Sequence, residues 1–272
     1  MGLFDVVDDI ARKQVVKTEN GDNRIYGVVV VTVTDNYAQE MPGRVCVLLP
    51  TRDTEANVLK WARLAMPSSG IGWGHYFLPE VGDQVLLVFE QGNIEKPYVI
   101  GCVPKDSNKF LKRAVDENNK YKKITTKHGS TICFTDSPEE GGEDGEKDVI
   151  EIFTPDQAHK FVMDNDKKKI LLSDKEGENK IEILSEKGEI NIKAANKLTI
   201  KVGEDIELVM TGSNGTTELK TKNFKVHAEN AVEIDANKQI KAEAATLKLD
   251  GNSSVKIAGG PVSVEGSPIK IG

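Results

Sequence analysis

Apolar residues in the last third of the chain come in pairs two positions apart, and the pairs recur about every eight residues. A spacing of two places both members on the same face of a β-strand. Polar, turn-forming stretches such as Ser185–Gly188, Gly203–Asp205 and Gly212–Gly215 separate the pairs. The pattern predicts a ladder of short strands with the pairs Ile190/Ile192, Leu198/Ile200, Ile206/Leu208, Phe224/Val226, Val232/Ile234, Leu247/Leu249, Val255/Ile257, Val262/Val264 and Ile269/Ile271.

A period of eight residues provides one strand and one turn, which is too little for a single chain to enclose a core. Three chains wound around one axis would enclose an apolar interior and leave open sheet edges only at the ends. A flat meandering sheet is the alternative, although it would expose its second face and long edges. We predict a three-chain intertwined β-helix, a trimeric prism, with core residues Ile192, Ile200, Leu208, Val226, Ile234, Leu249, Ile257 and Val264.

The preceding part of the chain has the pattern of a small barrel. Turn signals separate five strand candidates within about 85 residues, which suits a five-stranded barrel of the OB type. We predict strands at Ile25–Thr34, Arg44–Leu49, Val58–Ala65, Gln84–Phe89 and Tyr98–Val103.

Two further segments complete the predicted all-β organisation. Leu3, Val6, Val7 and Ile10 have the spacing of an amphipathic helix, which we predict to be a docking arm. Between barrel and ladder, Lys122–Phe134 and Asp148–Phe153 have the pattern of ordinary strands. We therefore divide the chain into a helical arm (1–17), an OB-fold domain (18–110), a neck with transitional strands (111–165) and a β-helical spike (166–272).

Composition and charge narrow the possible functions of the 272-residue chain. Its 36 Lys and Arg against 43 Asp and Glu leave a net charge of −7, and residues 18–110 carry 8 basic and 11 acidic residues. General nucleic-acid binders usually have a basic surface, so we expect no nucleic-acid partner. Apolar runs such as Val28–Val31 are far shorter than the roughly 20 residues of a membrane span. The N-terminus lacks the apolar segment of a signal peptide, so we expect synthesis in the cytoplasm without export by that route.

The sequence contains no recognisable catalytic or metal-binding motif. Cys46, Cys102 and Cys133 are widely spaced and form no C-x-x-C pair, which predicts free thiols, with Cys46 and Cys102 buried among apolar neighbours. No nucleophile elbow, zinc-protease motif or phosphate-binding loop is present. We expect no enzyme activity, no cofactor and no metal.

Several motifs between Gly43 and Val103 fall in the order and spacing of a known family. They are Gly43-Arg44-Val45, Trp61–Ala65, Gly72-Trp73-Gly74, the stretch Phe77–Val85 (FLPEVGDQV), Gly92–Pro97 and Val99–Gly101. This region resembles the OB domain shared by VgrG proteins, phage baseplate protein V and the spikes of tailocins and extracellular contractile injection systems. Ile124–Asp136 is similar to the strand that opens the spike in that family, and the ending Gly266–Ile271 is similar to the end of a VgrG β-helix.

The resemblance implies a central spike at the tip of a contractile baseplate, which punctures the target membrane and joins a hub protein to a tip protein. The split arrangement, with hub and spike as separate proteins, matches the roughly 20 residues that precede the barrel. Hub docking is expected at Leu3, Val6, Val7 and Ile10, and docking of a PAAR-type tip protein at Pro268, Ile269 and Ile271. The spike is expected in a virion tail or extracellular particle, with transient contact to the target cell envelope.

Two departures from the family pattern limit what the resemblance implies. The interval Pro104–Lys122 is too short for a lysozyme domain, and the tail has only one histidine, His227, so a His-x-His iron tip is not expected. Two other functions stay open: an OB-fold binding module for single-stranded nucleic acid or oligosaccharide, and a cell-wall hydrolase carried by the particle.

Overall fold

A computed structural model describes residues 15–17, 23–49, 58–137 and 145–270. These residues are almost entirely β-structure, with one short α-helix and two 3-10 turns. Two compact units divide at Asn196/Lys197. The predicted helix at residues 3–13 lies outside the described residues.

The first unit begins with a two-stranded ribbon, which is followed in the chain by a barrel. The ribbon pairs β1 (Val15–Lys17) with β2 (Asn23–Ile25), so the end of the predicted helical arm is a strand. The barrel strands are β3 (Val29–Asp35), β4 (Arg44–Leu49), β5 (Val58–Leu64), β8 (Gln84–Phe89) and β9 (Pro97–Val103). The hairpin β6 (Ser69–Gly70) and β7 (Trp73–Gly74) lies between β5 and β8 in the chain.

The barrel closes in the order β3-β4-β5-β9-β8, with a parallel pairing only between β5 and β9. Every second side chain along a barrel strand points inward. The fully buried ones include Val45, Val47, Val85, Leu87 and Val99. The five predicted barrel strands are confirmed, except that the first is interrupted. Tyr26–Val28 separates β2 from β3, and the two segments pair with different partners, since β2 pairs with β1 while β3 pairs with β4 and β8.

A short helix follows the barrel. The helix α1 (Lys109–Ala114) begins at Asn108, whose Oδ1 accepts hydrogen bonds from the backbone N–H groups of Phe110 at 2.8 Å and Leu111 at 3.1 Å. Such a side-chain cap satisfies amide groups that the first turn of a helix leaves without a partner. The interval between barrel and sheet therefore contains only this single short helix.

A seven-stranded antiparallel meander completes the first unit. Each strand is hydrogen-bonded to the next in the chain, so all connections are hairpins. The strands are β10 (Tyr121–Thr125), β11 (Thr131–Thr135), β12 (Val149–Phe153), β13 (His159–Asp164), β14 (Lys169–Asp174), β15 (Lys180–Leu184) and β16 (Glu189–Lys193). The predicted single strand at Lys122–Phe134 is wrong, because a tight turn around Gly129, with φ of +100°, folds it into the hairpin β10–β11.

The second unit begins with a three-stranded antiparallel sheet. Its strands are β17 (Lys197–Val202), β18 (Ile206–Thr211) and β19 (Thr216–Lys220), joined by turns at Gly203–Asp205 and Gly212–Gly215 as predicted. From Thr221 to Lys270 the described residues form no strand. The predicted ladder therefore pairs within one chain only as far as Lys220.

Candidate functional site

The seven-stranded sheet presents one continuous apolar face. Two rows of side chains cross the sheet in register, two positions apart on every strand, so both rows lie on the same face. The first row is Ile124, Ile132, Ile152, Phe161, Leu172, Ile181 and Ile192, and the second is Lys122, Phe134, Ile150, Met163, Ile170, Ile183 and Ile190. We call these two rows the apolar face. Lys122 is its only charged member.

The apolar face is the more exposed side of this sheet. Leu172 is 51% exposed, Ile192 55% and Ile190 69%, whereas the strand residues that are buried point to the opposite side. Those buried residues are Thr131, Cys133, Val162, Asp164 and Ser173. Large contiguous apolar patches on a protein surface mark interaction sites. A single copy of the chain thus leaves its most apolar sheet surface without a partner.

The three-stranded sheet repeats this arrangement. Ile200, Leu208 and Leu219 lie opposite one another across the three strands, and Leu198 pairs with Met210 on the same face. Ile200 and Leu219 are 47% and 46% exposed. The structure therefore brings together two of the predicted trimer-core residues, Ile200 and Leu208, and places a third, Ile192, beside Ile181 in the seven-stranded sheet.

The other predicted core residues have no neighbouring strand. Val226, Ile234, Leu249, Ile257 and Val264 lie between Thr221 and Lys270 and are 58–75% exposed. A strand exists only when its backbone amide and carbonyl groups are paired with another strand. Among the described residues of one chain no strand pairs with this segment, so the predicted strands from Thr221 to Lys270 are not formed.

The residues predicted to dock other proteins lie near the ends of the chain. Ile269 is 49% exposed and Pro268 is also exposed, whereas Ile271 lies outside the described residues. Leu3, Val6, Val7 and Ile10 also lie outside them. The docking predictions at both ends therefore stay predictions.

Two carboxylates hold turns of the meander in place. Asp164 ends β13 and is only 7% exposed. Burial raises its pKa, but hydrogen bonds from Lys167, through Nζ at 2.7 Å and the backbone N–H at 2.9 Å, outweigh burial and lower the pKa overall. The Nδ2 of Asn179 donates to Asp174 at 2.6 Å and is the main reason that the pKa of this carboxyl is also lowered. Both groups are therefore stabilised as carboxylates in the folded chain.

The glycine-tryptophan-glycine loop forms the exposed hairpin β6–β7. The indole of Trp73 lies directly over Gly70, where a Cβ atom would collide with it. Ile71 at the tip is fully exposed and Trp73 is 64% exposed. The loop leads into strand β8 and not into a helix, so it lacks the context of a dinucleotide-binding loop.

A polar cavity of about 190 Å³ lies on the outer surface of the barrel, where β4, β5 and β9 meet. Its lining consists of Arg44, Trp61, Arg63, Glu90, Glu95, Lys96, Pro97 and Tyr98. Glu90 accepts hydrogen bonds from Lys96 Nζ at 2.7 Å and from the Tyr98 hydroxyl at 3.1 Å. These bonds lower the pKa of Glu90 and raise that of Lys96. The sequence motifs contained the two arginines but did not indicate that they share a cavity.

The cysteines do not form a site. Cys46 and Cys133 are buried, whereas Cys102 is exposed, so the prediction of a buried Cys102 is wrong. Cys102 is the register partner of the buried Val85, but it is the second-last residue of β9 and is exposed at this end of the strand. In the described part of the chain, no group of three or more His, Cys, Asp or Glu side chains is arranged to hold a metal ion.

No helix among the described residues has the length and apolar character needed to cross a membrane. The fold places the chain in a definite class: an OB-type barrel continued, in the same chain, by antiparallel sheets with one exposed apolar face.

The comparison with known families identifies the barrel. Residues 29–103 match the Type VI secretion system/phage-baseplate injector OB domain, and the match begins and ends with the barrel strands β3 and β9. The barrel therefore matches the injector OB family, and the resemblance of this region to VgrG and baseplate V spike proteins is confirmed. No curated protein matches the chain.

Proposed function

We propose that the protein is the central spike of a contractile injection apparatus and works as a homotrimer. The main support is that one chain combines two features. Its barrel matches the injector OB family, and the sheets that follow the barrel expose an apolar face. The barrel supports a baseplate setting, and the exposed apolar face favours association with further chains. The role is structural, as the family is.

Energetics favours the association of copies through the apolar face. Thirteen of the fourteen positions in its two rows are apolar. Covering the exposed part of one such side chain contributes about 1 kcal/mol, so three interlocked copies would gain a large free energy. A second copy offers a face of the same shape and polarity, and cyclic symmetry closes the assembly without a free edge along its length.

The segment from Thr221 to Lys270 would obtain its strand partners from the other two copies. Its alternating apolar residues have the same spacing as those already paired in β17 to β19. Pairing between chains would satisfy the backbone groups and bury Val226, Ile234, Leu249, Ile257 and Val264 at the axis. The result is the intertwined β-helix, which resists bending because every strand is held by two others.

In this proposal the spike pierces the target envelope mechanically when the particle contracts. Interwound chains unfold slowly, and kinetic stability of this kind is the property that force transmission needs. The barrels would form the collar that contacts the hub, with Leu3, Val6, Val7 and Ile10 as the docking arm. A PAAR-type tip protein would cover the C-terminal end at Pro268, Ile269 and Ile271.

The mass of the native protein in solution tests this proposal. Light scattering with native mass spectrometry at micromolar concentration is expected to give a mass three times the 29.8 kDa of one chain. The trimer is also expected to resist dissociation by heat or SDS. A monomer at that concentration would disprove the architecture.

A further inference from the structure

The cavity on the outer surface of the barrel contains two arginines in an unusual relationship. Arg44 on β4 and Arg63 on β5 are direct partners in the antiparallel register. Like charges placed directly opposite each other in a sheet repel and destabilise the pair. A position of this kind needs either a nearby carboxylate or a bound anion to balance the charge.

The acidic groups of the cavity neutralise the two arginines only in part. Glu90 binds Lys96 and Tyr98, and Glu95 forms an ion pair with Lys60. Among the described residues, Arg63 forms no ion pair, although its charge helps to lower the pKa of Glu90, and the Nη1 of Arg44 donates to the Sδ of Met41 at 3.9 Å. The lining thus holds three cationic side chains against two carboxylates, each of which already forms an ion pair with a lysine, so a positive charge remains beside the arginine pair.

Aromatic side chains flank the arginine pair. Trp61 and Arg63 flank the buried Ala62 on β5, so both side chains lie on the outer face of the barrel. Tyr98 on β9 is the register partner of Arg63 in the parallel pairing of β5 with β9. Both aromatic side chains are half-buried. Guanidinium groups bind carboxylates in a forked, two-bond geometry, and aromatic faces accept the apolar groups beside such a carboxylate.

From this geometry we infer that the β4–β5–β9 surface is a docking site for an acidic peptide segment of a partner protein. One of the segment's carboxylates would bind Arg44 and Arg63, with an adjacent apolar or aromatic side chain against Trp61 and Tyr98. Single-stranded nucleic acid fits less well, since its continuous phosphates would meet Glu90 and Glu95 in the same cavity. The site rests on the barrel alone and does not depend on trimer formation.

Peptide binding to the full-length protein tests the inference. The probe is a fluorescein-labelled hexapeptide of alternating glutamate and tyrosine, and the reference is the matching peptide of glutamine and tyrosine. We expect saturable binding of the glutamate peptide only, and a loss of about tenfold or more in affinity in Arg44→Gln/Arg63→Gln. Addition of about 0.5 M salt should weaken the same binding.

A matched control removes two positive charges elsewhere on the first unit. Lys112→Gln/Arg113→Gln lies on the exposed end of α1, outside the cavity, and is expected to bind the glutamate peptide like the parent protein. Equal losses in both double variants would overturn the inference, because general charge attraction would explain them.

Two other results would also overturn it. Equal binding of the glutamate and glutamine peptides would show that no carboxylate is recognised. Tighter, arginine-dependent binding of a single-stranded oligonucleotide would make the surface a nucleic-acid site. Native mass measured on Arg44→Gln/Arg63→Gln separates this question from the proposed spike: an unchanged trimer is expected, and a lost trimer would place the arginines in a contact between copies.

Discussion

Ile181 on β15 lies directly opposite Ile192 on β16, and both side chains remain about half exposed although they belong to a continuous apolar row. Cross-strand isoleucine pairs normally stabilise a sheet by covering each other against a core. Here the two isoleucines contact each other, but no described part of the same chain packs over them. The relationship makes the apolar face the part of the molecule on which the proposed assembly depends.

Ile192→Asp is expected to prevent or strongly weaken trimer formation. Each copy would bring a carboxylate into the apolar interior, where an unpaired ionised group costs several kcal/mol. The matched control is Asn191→Asp, which adds the same charge to the same strand on the opposite face. Native mass spectrometry of both variants makes the comparison. If Ile192→Asp assembles as well as Asn191→Asp, the apolar face is not the interface.

Ile234→Asp tests the segment that has no strand partner within the chain. Ile234 is 75% exposed in one copy, so a monomeric protein should tolerate the change without loss of stability. In the proposed β-helix three carboxylates would crowd the axis, and both assembly and thermal stability should fall. Asn237→Asp, at a polar position of the same segment, is the control. Unchanged melting and assembly of Ile234→Asp would show that this residue faces solvent.

Removal of Gly266–Gly272 is expected to leave a folded trimer that no longer binds its tip protein. The deleted residues form only the last pair of the ladder, and the earlier pairs would still bury their apolar side chains. Three copies ending at Ile269 and Ile271 would present unpaired edges and exposed apolar groups, which a tip protein would cover. Co-purification with the tip protein at the yield of the full-length spike would contradict this prediction.

Asp164→Asn is expected to destabilise the meander in a pH-dependent manner. The pKa of Asp164 lies below its ordinary value of 3.8 because of Lys167. Its carboxylate therefore contributes stability above that pH, and the contribution is lost as the pH falls through the lowered pKa. Near neutral pH the free energy of unfolding should decrease by about 1–3 kcal/mol, the usual cost of losing a partner of a buried polar group.

The free energy of unfolding of the parent protein and of Asp164→Asn, measured by denaturant titration at a series of acidic pH values, tests this prediction. The difference between the parent protein and Asp164→Asn should begin to shrink near pH 3.8 and vanish once the pH has fallen through the lowered pKa, where Asp164 is protonated in the folded chain as well. Asp166→Asn, an exposed neighbour in the same turn, should show little change at any pH. A constant difference for Asp164→Asn over the whole range would mean that the charge of Asp164 is not what stabilises the turn.

Much of the barrel could be predicted from the sequence because its signals are local. Strands β4 and β8 begin and end at the predicted residues, since alternating apolar positions and flanking turn residues define both. The glycine-rich turns of the ladder at Ser185–Gly188 and Gly212–Gly215 are likewise as predicted. Motif order and spacing were also sufficient to indicate the injector family.

Other features depended on contacts between distant parts of the chain. The apolar face begins at Ile124, within the predicted neck, because a turn around Gly129 brings Ile132 opposite Ile124. The sequence pattern alone assigned these residues to one long strand. Cys102 has apolar neighbours in the chain, yet it is exposed because it lies near the end of β9, although its register partner Val85 is buried.

The sequence by itself determined which residues are apolar, their spacing of two, the turns between them and the motifs of the OB barrel, because these depend on neighbours in the chain. Only the tertiary structure decided the register that joins the apolar pairs into two rows from β10 to β16, and the face on which those rows lie. It also placed Arg44 opposite Arg63 beside Trp61 and Tyr98. Strand register and barrel closure are set by pairing between segments far apart in sequence, and no local pattern contains that information.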